Sequence, residues 1–220
     1  MTDFGGLRPT EGSVLAGGIA GYETVGQIIN IAATAEAFAV TALGSALANA
    51  ANGTLALTPL QRQTFTASRA EEQAHYTYLI GAGARPLTTT FTVPDPTIVT
   101  DVPTFLLTLI GLEEIFIAAY LAAAQEFAVL GQPRLAQLAL QIGAVEAEHR
   151  AGVRFFAIEA GLLSGAPNDV AFEKALFTRV GGAADALTTL GFIGGRGAKI
   201  TYPGPGAIDA TGIHYLQPYS

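Results

Sequence analysis

The chain has three histidines, His75, His149 and His214, and two of them close the same four-residue pattern. Glu72 stands three positions before His75, and Glu146 three before His149. Residues three apart on an α-helix lie about 60° apart around the axis and ~4.5 Å apart along it. Each Glu-x-x-His therefore turns one carboxylate and one imidazole toward a common point. Two further carboxylate positions interrupt apolar stretches upstream: Glu36 within residues 34–38, and Glu113 beside Glu114 within residues 112–116. Glu36 precedes Glu72 by nearly the interval at which Glu113 precedes Glu146. The pattern Glu…Glu-x-x-His thus occurs twice, as an internal duplication.

Four carboxylates gathered with two neutral imidazoles carry the charge that two divalent cations neutralise. Buried without cations, the carboxylates would repel one another and their pKa values would climb. With cations, two carboxylates can bridge, two can bind terminally, and each ion takes one imidazole. Mixed oxygen and nitrogen donors with open positions suit iron or manganese better than a structural zinc. Glu113 shares a helical face with Leu106, Leu109, Phe116, Ile117, Tyr120 and Phe127, whereas Glu114 shares one with Leu107, Gly111, Ala118 and Gln125. The more apolar face belongs in a core, which favours Glu113 as the ligand and keeps Glu114 as the alternative. Glu71 and Glu148 lie ~100° around the helix from Glu72 and His149, as solvent-facing or outer groups. Tyr76, Tyr78 and Tyr120 read as core filling in preference to ligand partners. Arg150 either pairs with a ligand carboxylate or exposes its head group, and His214 has no Glu-x-x-His partner.

Four long helices must hold these residues. Apolar residues at helical spacing run from about Thr24 to Ala50 and stop at Asn52-Gly53. Thr58, Pro59 and Gln61 form a helix start, and that helix runs to Gly81. Arg85–Asp101, with Pro86, Pro94 and Pro96, reads as an extended connection. A third helix follows from about Pro103 to Leu130, and a fourth from Pro133 to about Leu163. Short turns within each pair and one long link between the pairs describe an all-α four-helix bundle of two antiparallel hairpins with one crossover. A weaker helical pair is expected over Asp169–Phe192. The domain reading is a Gly-rich arm at 1–21, the bundle at 22–165, and a C-terminal helical extension with an extended tail at 166–220. Tail residues Ile200, Tyr202, Ile208, Ile213, Tyr215, Leu216 and Tyr219 suggest a strap across the chain's own bundle or, preferably, a neighbouring subunit of a homo-oligomer.

Composition bounds the function. The chain has 220 residues, of which 50% are hydrophobic and 13% charged, with 11 basic against 18 acidic residues. A net charge of −7 leaves no basic face for a phosphate backbone, which argues against nucleic acid as a partner. Cysteine is absent, so thiolate sites and disulfides are excluded. Two stretches, Val25–Ala48 and Phe105–Ala124, are apolar enough to suggest membrane spans, but each has carboxylates at its centre. No transmembrane span is therefore expected. Residues 1–13 lack a basic-then-apolar leader. That reads as cytoplasmic for the chain as it stands, or exported to the periplasm or outside if it is a mature form.

The duplicated set resembles the ferritin-like superfamily of carboxylate-bridged dimetal proteins. More narrowly, LeuGluGluIlePheIleAlaAlaTyr at Leu112–Tyr120 and AlaValGluAlaGluHisArgAlaGlyValArg at Ala144–Arg154 resemble the bacterial ferritin-like, desiccation-related group. The resemblance covers about Ile28–Leu163. It implies Glu72 and Glu146 as bridging carboxylates, Glu36 and Glu113 as terminal ligands, and His75 and His149 each capping one metal. It implies two iron ions, with two manganese ions as the alternative, and an oxidoreductase acting on oxygen, peroxide or ferrous iron in stress protection. The small-molecule oxidant would be its partner. The rival expectation is a structural, self-assembling scaffold that keeps the bundle with a vestigial metal site.

Overall fold

Thr24 opens the first helix, α1 (Val25–Ala51), with a reciprocal pair of bonds: its hydroxyl accepts from the Gln27 N–H, and the Gln27 side chain accepts from the Thr24 N–H. The same device, Thr58 with Gln61 and Pro59 between them, opens α2 (Pro59–Gly81). A strand β1 (Thr90–Val93) and a 3-10 turn (Pro96–Val99) lie in the link to α3 (Val102–Val129), which Asp101 caps by accepting from the Thr104 N–H. Gly131, in the left-handed region at φ 69°, and Pro133 then turn the chain into α4 (Pro133–Glu159). A short α5 (Gly181–Thr189) and a strand β2 (Ala198–Thr201) complete the elements. The computed structural model describes residues 20–206 and 208–218. All but the last two residues of the expected N-terminal arm, and Tyr219 of the tail, lie outside the described residues.

α1 pairs with α2 and α3 with α4, as the short turns require, and the β1-bearing link crosses between the hairpins. Two apolar clusters fill the bundle. One gathers Phe38, Phe91, Phe116, Leu138, Ile142 and Phe192; the other gathers Leu43, Phe65, Phe105, Leu106, Val153 and Phe156. Along α2 and α4, residues 72–75 and 146–149 fall between them, so the polar residues occupy a band with apolar packing above and below. Phe38 centres the first cluster, its ring 5.3 Å from Phe91, 5.0 Å from Phe192 and 6.4 Å from Phe116. Phe38→Ala is expected to cost about 3–5 kcal/mol by leaving a cavity. Urea unfolding should show it as a lowered midpoint at an unchanged slope.

Nearest the carboxylates, a glycine matters at Gly143, one turn before Glu146. A Cβ there would stand 3.1 Å from the Tyr120 Cβ, so its absence lets α3 and α4 approach closely where their carboxylates meet. α1 and α3 are long and apolar enough to cross a membrane by length and composition, and most of each helix's apolar stretch is buried within the protein. Their carboxylates Glu36 and Glu113 are buried inside the bundle.

Two features beyond the bundle differ from the sequence reading. β1 and β2 pair antiparallel, from Thr90 opposite Thr201 to Val93 opposite Ala198, so the crossover and the tail satisfy each other's backbone groups. In place of a helical pair over Asp169–Phe192 there is one helix, α5. Residues 164–180 run irregularly and are held by ion pairs, Arg150 with Glu173, Arg154 with Asp169 and Lys174 with Glu114. Glu126, buried on α3, holds the approaches to α1 and α5 together by accepting from the backbone N–H groups of Glu23 and Val180. Of the tail residues, Ile200 sits in β2 opposite Phe91, whereas residues 212–218 line a cleft with the chain's own α2 and α4. The Tyr202 ring packs against Tyr76 at a tilt of 51° and its hydroxyl donates to Gln73, while Ile208, Ala210, Leu216 and Gln217 line a cleft with α2.

Candidate metal centre

All four long helices contribute to one buried cluster. Glu36 comes from α1, Glu72 and His75 from α2, Glu113 from α3, and Glu146 and His149 from α4. One donor atom from each of Glu36, Glu72, His75 and Glu146 lies within 4.8 Å of the other three, and the same holds for Glu72, Glu113, Glu146 and His149. The two groups share Glu72 and Glu146. His75 Nδ1 faces Glu72 Oε2 at 3.4 Å and Glu146 Oε1 at 3.5 Å, whereas His149 Nδ1 faces Glu72 Oε1 at 3.2 Å and Glu146 Oε2 at 3.4 Å. Each shared carboxylate thus offers one oxygen to each imidazole. Glu36 completes the first group, with its Oε2 3.4 Å from His75 Nδ1.

The donor set fits metal binding. Glu36 Oε2, Glu72 Oε1, Glu113 Oε2, both Glu146 oxygens and His149 Nδ1 are buried with no hydrogen-bond partner. Leaving one such atom unsatisfied costs about 1–3 kcal/mol. Six of them converging on one place are hard to account for in a native core without a cation.

Protonation follows from the same crowding. Burial raises Glu36, Glu113 and Glu146 above the ordinary carboxylate range, and Glu72 adds to the shift at each. Burial pushes Glu72 up as well, but the His149 and His75 rings that face it outweigh this and hold the carboxyl well below its usual value. For both imidazoles burial disfavours the charged form. At His75 the carboxylate of Glu36 prevails, and at His149 the neighbouring carboxylates of Glu146, Glu71 and Glu72 prevail, so both are raised well above the ordinary value. Without cations, the cluster stores protons.

Neighbouring residues support the donors. Tyr120, seven residues after Glu113 and so on the same helical face, donates its hydroxyl to Glu36 Oε1. The sequence reading treats it as core filling, although its spacing from Glu113 was a usable signal. Glu71 Oε2 lies 2.7 Å from His149 Nε2, an outer partner that fixes the ring with Nδ1 toward the carboxylates. Glu114 lies outside the cluster and pairs with Lys174 at 3.1 Å. Arg150 is buried but pairs with no ligand carboxylate: it makes two bonds to Glu173, of 2.6 and 2.7 Å. This buried cation of α4 is neutralised from the C-terminal segment, which leaves the cluster's charge to the donors themselves.

A family model described as a ferritin-like domain matches residues 24–159, the whole span from the α1 cap to the end of α4. The chain belongs to the ferritin-like family. Neither the curated proteins nor the solved structures provide a match. The ferritin-like bundle and its carboxylate and imidazole cluster together fit a dimetal protein. α5, β2 and the tail lie outside the matched span.

Proposed function

We propose that this ferritin-like protein is a dimetal oxidoreductase that holds two iron ions, or alternatively two manganese ions, and acts on oxygen, hydrogen peroxide or ferrous iron in stress protection of the desiccation-related kind. The observation that carries the reading is the pair of shared carboxylates, Glu72 and Glu146, each offering one oxygen to each imidazole. Glu36 and Glu113 would be the terminal ligands, and His75 and His149 would hold one ion each. Two redox-active ions there would supply or accept electrons in pairs at a small oxidant.

The rest of the work belongs to the chain. Glu36, Glu72, Glu113, Glu146 and His149 are all buried, so charge there is felt strongly. Carboxylate donors tolerate a change in cation charge because they can rotate between bridging and terminal binding. Tyr120 holds its proton at Oη against Glu36 Oε1 and is itself kept protonated, since burial and the Glu36 charge raise its pKa well above the usual value. A neutral, fixed donor at that oxygen orients Glu36 toward His75.

The test is metal analysis of full-length protein purified without chelator, followed by optical spectra after exposure to oxygen or hydrogen peroxide. About two irons or manganeses per chain, with a spectral change on oxidation, is the expected result. Protein that folds normally yet retains neither metal, even after incubation with ferrous or manganous salts, would defeat the reading and favour the scaffold.

A further inference from the structure

The duplication is imperfect at one position next to the donors. Glu71 directly precedes Glu72 and reaches across to the Nε2 of His149, 2.7 Å away. The residue directly preceding Glu146 is Val145. Among the described residues no carboxylate comes within ion-pair distance of the Nε2 of His75, whose three carboxylate neighbours all face Nδ1. Among the described residues, one imidazole is therefore anchored by a carboxylate from behind and the other is not.

The two imidazoles also differ in their access to solvent. The His149 side chain is 5% exposed and the His75 side chain 14%. Of the six donors, only His75 lines the cleft of about 770 Å³ between the outer faces of α2 and α4 and tail residues 212–218. Val145 lines the same cleft, so the missing carboxylate coincides with the open side of the cluster.

Building on the dimetal reading above, we propose that the two metal positions have different tasks. The position capped by His149 is the tight, permanent one, with Glu71 as its positioning residue. The position capped by His75 is the weaker, exchangeable one, filled and emptied through the cleft beneath the tail. An anchored imidazole donates its Nδ1 lone pair in a fixed direction and with greater basicity. Removing such an outer partner typically lowers metal affinity 10- to 100-fold. The unanchored imidazole must be ordered by the ion itself, and its ion has the shorter path to water. The substrate class that fits this opening is a divalent cation or a small neutral oxidant. Glu71 and Glu148 on the cleft wall disfavour anions.

Calorimetric titration of the metal-free full chain with Co2+, which resists air oxidation, tests the division. The wild type should show two binding events separated by at least about tenfold in Kd. Glu71→Ala should weaken the tighter event by about 10- to 100-fold and leave the other in place. Val145→Glu should tighten the weaker event by a similar factor. Chelator added to the loaded wild type should remove one ion well before the other. Two equal sites in the wild type, or equal weakening of both by Glu71→Ala, would overturn the proposal. If Glu71→Ala fails to fold by circular dichroism, Val145→Glu decides, and an unchanged weaker event overturns it. A chain that binds no Co2+ at all loses the dimetal reading itself, an outcome distinct from two equal sites.

Discussion

Glu72→Ala and Glu146→Ala should each take the protein from about two bound ions per chain to none, whereas Glu114→Ala should leave both in place. The asymmetry follows from geometry. Glu72 and Glu146 belong to both donor groups, so removing either strips a ligand from each ion and leaves the two cations to repel one another. Glu114 belongs to neither group and is held outward by Lys174. Glu36→Ala and Glu113→Ala should fall between, each lowering occupancy at its own end of the cluster. Metal content after dialysis, measured with a folded control by circular dichroism, checks all five variants. Full occupancy in Glu146→Ala would show that the shared carboxylates do not bridge.

Stripping the ions should lower the melting temperature, and the gap should widen from pH 5 to pH 8. A ligand at a hundredfold excess over its Kd stabilises by about 2.7 kcal/mol. For a chain of this size, that corresponds to roughly 5–10 °C per ion. The pH dependence comes from the stored protons. In the metal-free protein Glu36, Glu113, Glu146, His75 and His149 all have raised pKa values, so the folded state binds more protons than the unfolded one. The stability they supply is present at low pH and is lost as pH rises through the raised folded values. Glu72, held low, runs the other way and loses its contribution only in acid. Metal replaces those protons, so its affinity rises with pH while the metal-free protein weakens. Glu126, pushed up to about 7, titrates in both forms and cancels from the difference. Melting curves with and without chelator at pH 5, 6.5 and 8 test this, and coincident curves at pH 8 would contradict it.

The bundle was legible because its signals are local. Thr58, Pro59 and Gln61 mark a helix start within four residues, and Gly131 with Pro133 mark a turn. The donor cluster was legible for a related reason: Glu-x-x-His fixes two donors on one helical face, and its repetition fixes the pairing of the hairpins. Glu113 could be chosen over Glu114 because a core-facing stripe is a property of helical period. What escaped was long-range or side-chain directed. The pairing of β1 with β2 joins residues about half the chain apart, and neither four-residue strand announces its partner. The irregular path of residues 164–180 is set by Arg150 and Arg154 reaching for Glu173 and Asp169, contacts that exist only once α4 is formed. Glu71 could be placed beside the cluster from its spacing. That it anchors the imidazole of the opposite hairpin needed the packed bundle.

The most direct measurement is anomalous diffraction at the iron and manganese edges from crystals of the full chain grown or soaked with the metal. Two peaks are expected, one against the Nδ1 of His75 and one against the Nδ1 of His149, both in contact with the carboxylates of Glu72 and Glu146. No peak in the cluster, or a single peak that touches neither shared carboxylate, would contradict the dimetal reading.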